Sequence, residues 1–348
     1  MKIHPQFKLN GSSYTHQELL SLSKRYSTST TAFKRPIGKF LIDWLDNSKT
    51  VLVNTSGSTG KPKQIQLQKS YMVNSALATG SFFNLKAGDS ALLCLPSGFI
   101  AGKMMLVRAM VLGLELDYVV PTSSPLDKNS KNYDFAAMVP LQAKNSIKKL
   151  MTIDKLIIGG APINTELENK LKELKTSVFE TYGMTETITH IAVKKLGDSY
   201  FKTLPDITLK KDDRDCLIIH APKINKEEVV TNDIVDVISS KEFKWLGRYD
   251  SIINSGGIKL IPEQIEAKLA SVVENRFFIA GIKDKTLGQK LVLIVEGSSD
   301  SKSILEKIKE NMALEGYEIP KVVFSLPQFS TTSNGKIKRK ETLKLLNS

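Results

Sequence analysis

An α/β fold, with one large domain of helices packed on β-sheets and a small α+β domain after it, is predicted by three features of the sequence. A chain of 348 residues with 41% apolar side chains can bury one large core and a second, smaller one. Apolar runs that end in turn residues alternate with stretches of helical period, the rhythm of a sheet covered by helices. No repeat of 20–50 residues is visible, which excludes a solenoid.

The elements follow in order. "TVLVNTSG" (50–57), "DSALLCLPSG" (89–98), "ELDYVVPTS" (115–123) and "IDKLIIGGAP" (153–162) read as strands running into loops, and "SVFETYG" (177–183) as another. "TELENKLKELK" places Leu167, Leu171 and Leu174 at i, i+4 and i+7, with Thr165 and Glu168 at capping-box spacing, so a short amphipathic helix is expected there. "SIINSGGIKLIPEQIEAKLASV" (251–272) reads as a strand, a glycine turn and a helix. "SKRYSTSTTAFKR" (23–35) is mildly low in complexity and is expected to be a surface loop.

Composition narrows the partners. The formal charge is +13, split as +9 over the first 250 residues and +4 over the rest, so no basic tail stands out. Only seven of 49 basic residues are arginine, whereas nucleic-acid surfaces use the guanidinium fork heavily. Small polyanions such as ATP and coenzyme A suit the diffuse positive field, and no nucleic acid is expected as partner. Cys94 and Cys216 each lie in an apolar run, suggesting two buried, inert thiols and neither disulfides nor a zinc site. The N-terminus lacks an apolar signal segment, and the most lipid-like stretch, "FIAGKMMLVRAMVLG", is broken by Lys103 and Arg108, so a cytoplasmic protein without membrane insertion is expected. Oligomeric state is not encoded in any of these features.

"TSGSTGKPK" (55–63) supplies the first chemistry. Gly57 and Gly60 enclose two residues and Pro62 follows Lys61, a spacing that excludes a Walker A loop. A strand end and a flexible turn remain. Its backbone N–H groups, with the hydroxyls of Thr55, Ser56, Ser58 and Thr59 and the charge of Lys61 or Lys63, suit a polyphosphate; a solvated Gly/Ser turn is the plain alternative. "TYGMTET" (181–187) adds a ring, a glycine, a hydroxyl and a carboxylate.

Together with "TNDIVDV" (231–237), "GRYDSIINSGGIKLIPEQIE" (247–266) and "GKIKR" (335–339), these stretches resemble, in order, the motifs of the adenylate-forming superfamily of acyl-CoA synthetases, adenylation domains and luciferases. The resemblance spans residues 55 to 339 and implies an AMP-forming enzyme. It would let a carboxylate attack the α-phosphorus of ATP, expel pyrophosphate and pass the acyl group to a thiol. By the same resemblance, the 55–63 loop grips the β- and γ-phosphates, Thr185 bonds the α-phosphate, Glu186 ligates Mg²⁺ and Tyr182 lies against adenine, with Gly183 giving close backbone approach. Asp233 accepts the ribose hydroxyls, although Asn232 stands where the family usually has glycine, and Arg248 adds a ribose or phosphate contact. Gly160 of "IIGGAPI" joins the nucleotide side, and Gly159 the acid side.

Asp250 falls at the family's hinge, dividing the chain into a large domain over 1–249 and a small mobile lid over 250–348. Lys336 takes the place of the lysine that contacts the attacking carboxylate and α-phosphate. Gly256 and Gly257 would admit the pantetheine chain of CoA after the lid turns.

The short chain, "LPSGFIAGKMMLVRAM" and "TYGMTETITH" together resemble compact o-succinylbenzoyl-CoA synthetases of menaquinone biosynthesis. No histidine follows Leu95–Pro96, unlike the common acyl-CoA synthetase form. A second carboxylate on the acid would need a cation, for which Lys103 and Arg108 are candidates, with snorkelling from the helix as the plain alternative for the lysine. His190, four residues after Glu186, is a candidate to line the same pocket or simply to pack in the core; an E-x-x-x-H metal pair is the weaker alternative, since no further His or Cys is nearby. The alternatives are a ligase for another aryl or acyl acid, an adenylation enzyme serving a carrier protein, and a non-catalytic nucleotide-binding or nucleic-acid-associated protein.

Overall fold

A computed structural model describes residues 3–54, 64–298, 300–331 and 337–347. The chain begins with β1 (Lys8–Leu9), β2 (Ser12–Ser13), α1 (His16–Ser27) and α2 (Lys34–Leu45), then β3 (Thr50–Asn54), β4 (Gln64–Gln68), α3 (Lys69–Phe83), β5 (Ser90–Leu93), α4 (Ile100–Leu112) and β6 (Glu115–Tyr118). β7 (Tyr133–Met138), α5 (Pro140–Asn145), β8 (Ile153–Ile158), α6 (Thr165–Lys172), β9 (Ser177–Gly183), β10 (His190–Lys195) and β11 (Phe201–Thr203) follow. These strands hydrogen-bond in the order β11-β10-β9-β8-β7-β5-β6-β1-β2, with β3 and β4 forming a separate antiparallel pair. From β9 to β1 the pairings are parallel, as expected where helices connect the strands. β9 and β10 form an antiparallel hairpin.

Parallel strands covered on both faces need continuous apolar runs, which "ALL", "FAAM" and "LII" provide. Leu92, Ala136, Met138, Leu156, Ile158 and Val178 form one face of the core, sealed by Leu167 and Leu171 of α6. That helix is capped differently from the sequence expectation. Asn164 accepts the Leu167 N–H at 2.9 Å, and Thr165 is already inside the helix. Asn is as good a cap as Thr, and starting one residue earlier still puts Leu167 and Leu171 inward. The 23–35 stretch also departs from expectation, since Ser23–Ser27 belong to α1 and Lys34–Arg35 to α2. Thr15 and Glu18 make the capping box that starts α1, and Ser23 is buried with its hydroxyl on the Leu19 carbonyl. Both cysteines are free and buried, as expected, and burial pushes the Cys94 thiol up to about 12.

β12 (Thr208–Lys211), β13 (Cys216–His220), β14 (Val229–Ser239) and β15 (Glu242–Arg248) come next, hydrogen-bonded in that order. Along them the chain divides into two compact units. The larger comprises Met1–Leu209, Ile219–Val229 and Ser239–Glu242; the smaller comprises Lys210–Ile218, Val230–Ile238 and Phe243–Ser348. The smaller unit adds β16 (Ile253–Ser255), β17 (Ile258–Leu260), α7 (Pro262–Leu269), β18 (Phe277–Asp284), β19 (Gly288–Glu296), α8 (Ser301–Lys309), β20 (Val322–Leu326) and α9 (Arg339–Lys344). The strand, glycine turn and helix expected after residue 250 are all present. α7 and α8 bury Ile265, Leu269 and Ile308 against Ile279, Leu291 and Leu293, while Phe278, Val292 and Ile294 pack with Phe329 and Leu343. The alternation of these strand residues between two clusters follows from the period of two in a strand. Among the described residues no helix is long and apolar enough to cross a membrane.

Candidate active site

The larger unit gathers its motif residues at the β9–β10 hairpin. Tyr182 and Gly183 end β9, Thr185–Thr187 make one 3₁₀ turn, and His190 begins β10 opposite Gly183. The connection is tight. The Thr189 N–H reaches the Thr187 carbonyl at 2.7 Å around Ile188, which is held at φ +67°, ψ −60°. A β-branched side chain rarely adopts that conformation, and the strain is of order 1–3 kcal/mol. Thr187 offsets it: its hydroxyl accepts the Met184 N–H at 3.0 Å, with the Thr189 carbonyl 2.9 Å away. Gly183 is obligatory, because a Cβ there would collide with the Thr189 carbonyl oxygen and the His190 Cα.

The motif side chains differ in exposure. The Tyr182 ring is half-buried with its centroid 6.0 Å from that of Phe201. Glu186 is exposed; its backbone carbonyl accepts from Asn225 at 3.5 Å, while no described side chain pairs with its carboxylate. A hard oxygen donor that no described side chain pairs with suits Mg²⁺, which takes oxygen ligands, so Glu186 could hold that ion. Gly159 and Gly160 follow β8, where Gly159 donates to the Met138 carbonyl at 3.1 Å and lies against Thr181 of β9.

Next to the hairpin is a buried cation. Arg108 on α4 is 1% exposed, and burial pushes its guanidinium down to about 9, still charged at neutral pH. Its partners are all uncharged: Thr79 Oγ1 at 3.3 Å, Thr189 Oγ1 at 3.4 Å and His190 Nδ1 at 3.3 Å, with Met105 Sδ at 3.7 Å. Among the described residues no carboxylate pairs with it. His190, 6% exposed, is held well below the ordinary histidine value by burial first and by the Arg108 charge second, so the ring is neutral. His190 also lines a cavity of about 210 Å³ with α3 residues Asn74, Ser75, Ala78 and Ser81 and, across from them, Leu204 and Ile224. The structure thus brings two of the four candidate pocket residues, Arg108 and His190, into contact, while only His190 lines the cavity.

Lys103 is elsewhere. Five residues away on α4 it faces another side, its Nζ 3.2 Å from the Leu52 carbonyl and 5.6 Å from the Phe40 ring centroid; burial lowers its pKa and Asp43 opposes that. Thr79 and Thr189 escaped sequence reasoning. Thr79 sits in a helix whose apolar period is weak, and Thr189 is one more hydroxyl in a motif full of them.

The smaller unit holds a second group. Asp233 on β14 is buried; it accepts the Trp245 indole N–H at 3.2 Å and lies 3.6 Å from Arg248 Nη1. Arg248 forks onto Asp250, with Nε–Oδ1 at 2.9 Å and Nη2–Oδ2 at 3.2 Å, and this bond more than any other holds the Asp250 carboxyl below its usual range. Asn232 accepts from Arg214 Nη1 at 3.1 Å, which gives its side chain a role a glycine could not fill. Trp245 was not foreseen, though strand period two in "FKWLGR" put Phe243, Trp245 and Gly247 on one face. Gly256 and Gly257 form the β16–β17 turn with φ of +58° and +84°, values that favour glycine. Thr55, Ser56, Gly57, Ser58, Thr59, Gly60, Lys61, Lys63 and Lys336 lie outside the described residues.

A family model described as "AMP-binding enzyme" matches residues 42–215, half of the chain. The chain belongs to the AMP-binding enzyme family. An acyl-CoA synthetase (AMP-forming)/AMP-acid ligase II-like protein from Dyadobacter fermentans is 35% identical, covering 94% of this chain and 98% of its own, with a TM-score of 0.62. A 2-succinylbenzoate–CoA ligase from Bacillus cytotoxicus is 25% identical over 85% of this chain and 70% of that protein. The o-succinylbenzoate CoA synthetase from Bacillus subtilis, solved with ATP and magnesium ion, shares the fold at a TM-score of 0.73 and 20% identity, covering 96% of this chain and 83% of its own. This family chain is therefore an adenylate-forming enzyme with the α/β architecture that its motifs implied.

Proposed function

We propose that the chain is an ATP- and Mg²⁺-dependent acid:CoA ligase whose acid carries a second ionised group, o-succinylbenzoate fitting best, which would place it in menaquinone biosynthesis. The observation that carries the substrate class is Arg108: a buried, charged guanidinium that no carboxylate among the described residues pairs with, one residue behind a cavity wall. An isolated buried charge costs several kcal/mol, and an anionic ligand would offset that cost. The names of the relatives in Bacillus cytotoxicus and Bacillus subtilis support the same acid. The hydroxyl- and glycine-rich 55–63 sequence and the diffuse positive charge suit ATP and CoA.

In the first half-reaction the acid's carboxylate oxygen bonds to the α-phosphorus and pyrophosphate leaves. Thr185 would donate to the α-phosphate, the 55–63 loop would hold the departing phosphates, Asp233 would accept the ribose hydroxyls and Lys336 would neutralise charge at the attacking oxygen. Mg²⁺, held by Glu186 and phosphate oxygens, would supply Lewis-acid stabilisation of the leaving group. In the second half-reaction the CoA thiolate attacks the acyl carbon and AMP departs, with a hinge at Asp250 and the Gly256–Gly257 turn admitting pantetheine. A small lid over 250–348 and a large domain over 1–249 are the moving parts in this reading.

The decisive experiment scores pyrophosphate release over a panel of acids, with and without CoA. A strong CoA-dependent turnover of o-succinylbenzoate supports the reading; release with no dicarboxylic acid overturns it. Lys336→Ala should lower adenylation by about 3–4 kcal/mol while leaving transfer from supplied acyl-adenylate to CoA nearly intact. Equal loss of both half-reactions would contradict the assigned role. Asp233→Ala should raise the Kd for ATP, and an unchanged Kd by calorimetry would remove Asp233 from the ribose site.

A further inference from the structure

We propose that His190, fixed by Arg108 with its single proton on Nε2, is the specificity-determining residue that meets the second acidic group of the substrate, so that the buried guanidinium acts on the acid through an imidazole. This rests on the acid pocket proposed above and carries it one residue further. Arg108 does not line the cavity, whereas His190 does. The contact between them decides the tautomer. A guanidinium has only donors, so Arg108 Nη2, 3.3 Å from His190 Nδ1, makes Nδ1 the acceptor. Burial beside a cation keeps the ring neutral, and its one proton then belongs to Nε2.

That N–H is poorly used. Its protein acceptor is Thr79 Oγ1 at 3.5 Å, at the long limit of a hydrogen bond. The Thr79 hydroxyl gives its own proton to the Ser75 carbonyl at 2.9 Å and takes Arg108 Nε at 3.3 Å, so it faces the ring with a shared lone pair. An ionised carboxylate or similar oxyanion in the cavity is a stronger acceptor and would displace Thr79 from Nε2–H. The cation one ring behind raises the acidity of that N–H and favours a charged acceptor over a neutral one. The pocket wall therefore distinguishes an ionised second group from its ester or amide, without exposing the arginine to water.

The test uses the full chain with o-succinylbenzoate and its two monomethyl esters as acids, comparing kcat/KM for pyrophosphate release. Wild type should prefer the diacid over the ester that retains the reactive carboxylate by at least tenfold. His190→Phe should remove most of that preference, chiefly through KM, while His190→Gln, which keeps an N–H donor and an acceptor for Arg108, should retain most of it. A preference unchanged in His190→Phe overturns the proposal. Imidazole ¹⁵N spectra of wild type provide a second readout that needs no variant. An unprotonated Nδ1 and a protonated Nε2 that shifts on adding the diacid are expected, and a protonated Nδ1 overturns the assignment. If no diacid elicits pyrophosphate release from wild type, the acid reading itself fails; if o-succinylbenzoate does elicit it and His190→Phe keeps the preference, only the role of His190 falls.

Discussion

Arg108 and Arg339 are both sheltered guanidinium groups, one in each compact unit, and the protein answers them in opposite ways. Arg339, half-buried at the start of α9, lies 2.8 Å from Glu266 and 3.7 Å from Glu263 on α7, with Phe278 beneath it at 5.7 Å. Glu266 in turn accepts the Ile279 N–H at 2.8 Å, tying α7 to β18. Arg108 is more deeply buried and is given two hydroxyls, a neutral imidazole and a thioether. A charge used only for structure is compensated within the fold; one that no described carboxylate compensates at greater burial would, on the function proposed above, be answered by an incoming anion.

The largest test of this contrast is Arg339→Met. It strands two acidic side chains and should lower unfolding free energy by about 3 kcal/mol in denaturant titration. Adding Glu266→Gln should recover part of the loss. No recovery would mean that Arg339 works by packing on Phe278. Arg108→Met should do the reverse. Stability should hold or rise by about 1 kcal/mol, while kcat/KM for the diacid falls about a hundredfold, close to 3 kcal/mol of transition-state stabilisation. If Arg108→Met destabilises the fold as strongly as Arg339→Met, the contrast fails.

The smallest test is titration. His190 has a folded pKa well below 6.5, so the unfolded chain binds its proton first and stability falls as pH drops below 6.5, by at most about 1.4 kcal/mol per pH unit. His190→Gln should flatten that slope. Glu266, pushed up to about 7 by burial against the opposing pull of Arg339, behaves in the opposite sense. The folded state keeps its proton longer, so stability declines as pH rises from about 4.5 to 7. Glu266→Gln should remove that decline. Thermal unfolding of each variant against wild type, measured as a difference at each pH, separates the two groups from the remaining carboxylates.

Sequence reading reached the strands and helices because their apolar periods are strong: "FAAM", "LII" and the leucines of α6 fall where period and turn residues put them. The cap at Asn164 is hidden in the sequence because Thr165 offers a competing box, and 23–35 has a loop's composition because hydroxyls crowd a helix end that is held by burial of Leu19 and Leu22. Motif residues could be named but not assembled. That Arg108 on α4 meets His190 on β10 depends on a contact spanning 82 residues, which periodicity cannot express. Lys103 and Arg108 looked interchangeable as cations, and only packing separated one on the Leu52 carbonyl from the other behind the cavity.

The β9–β10 hairpin has a consequence for how such an enzyme changes. Residues 181–187 occupy one end of it and position 190 the other, with Gly183 and Ile188 locking the backbone between them. On the assignments proposed above, exchanging the first side chain of β10 or its neighbours on α3 would retune which acid is accepted, leaving the nucleotide contacts three residues upstream untouched. A single tight turn would thereby keep the two roles on separate residues.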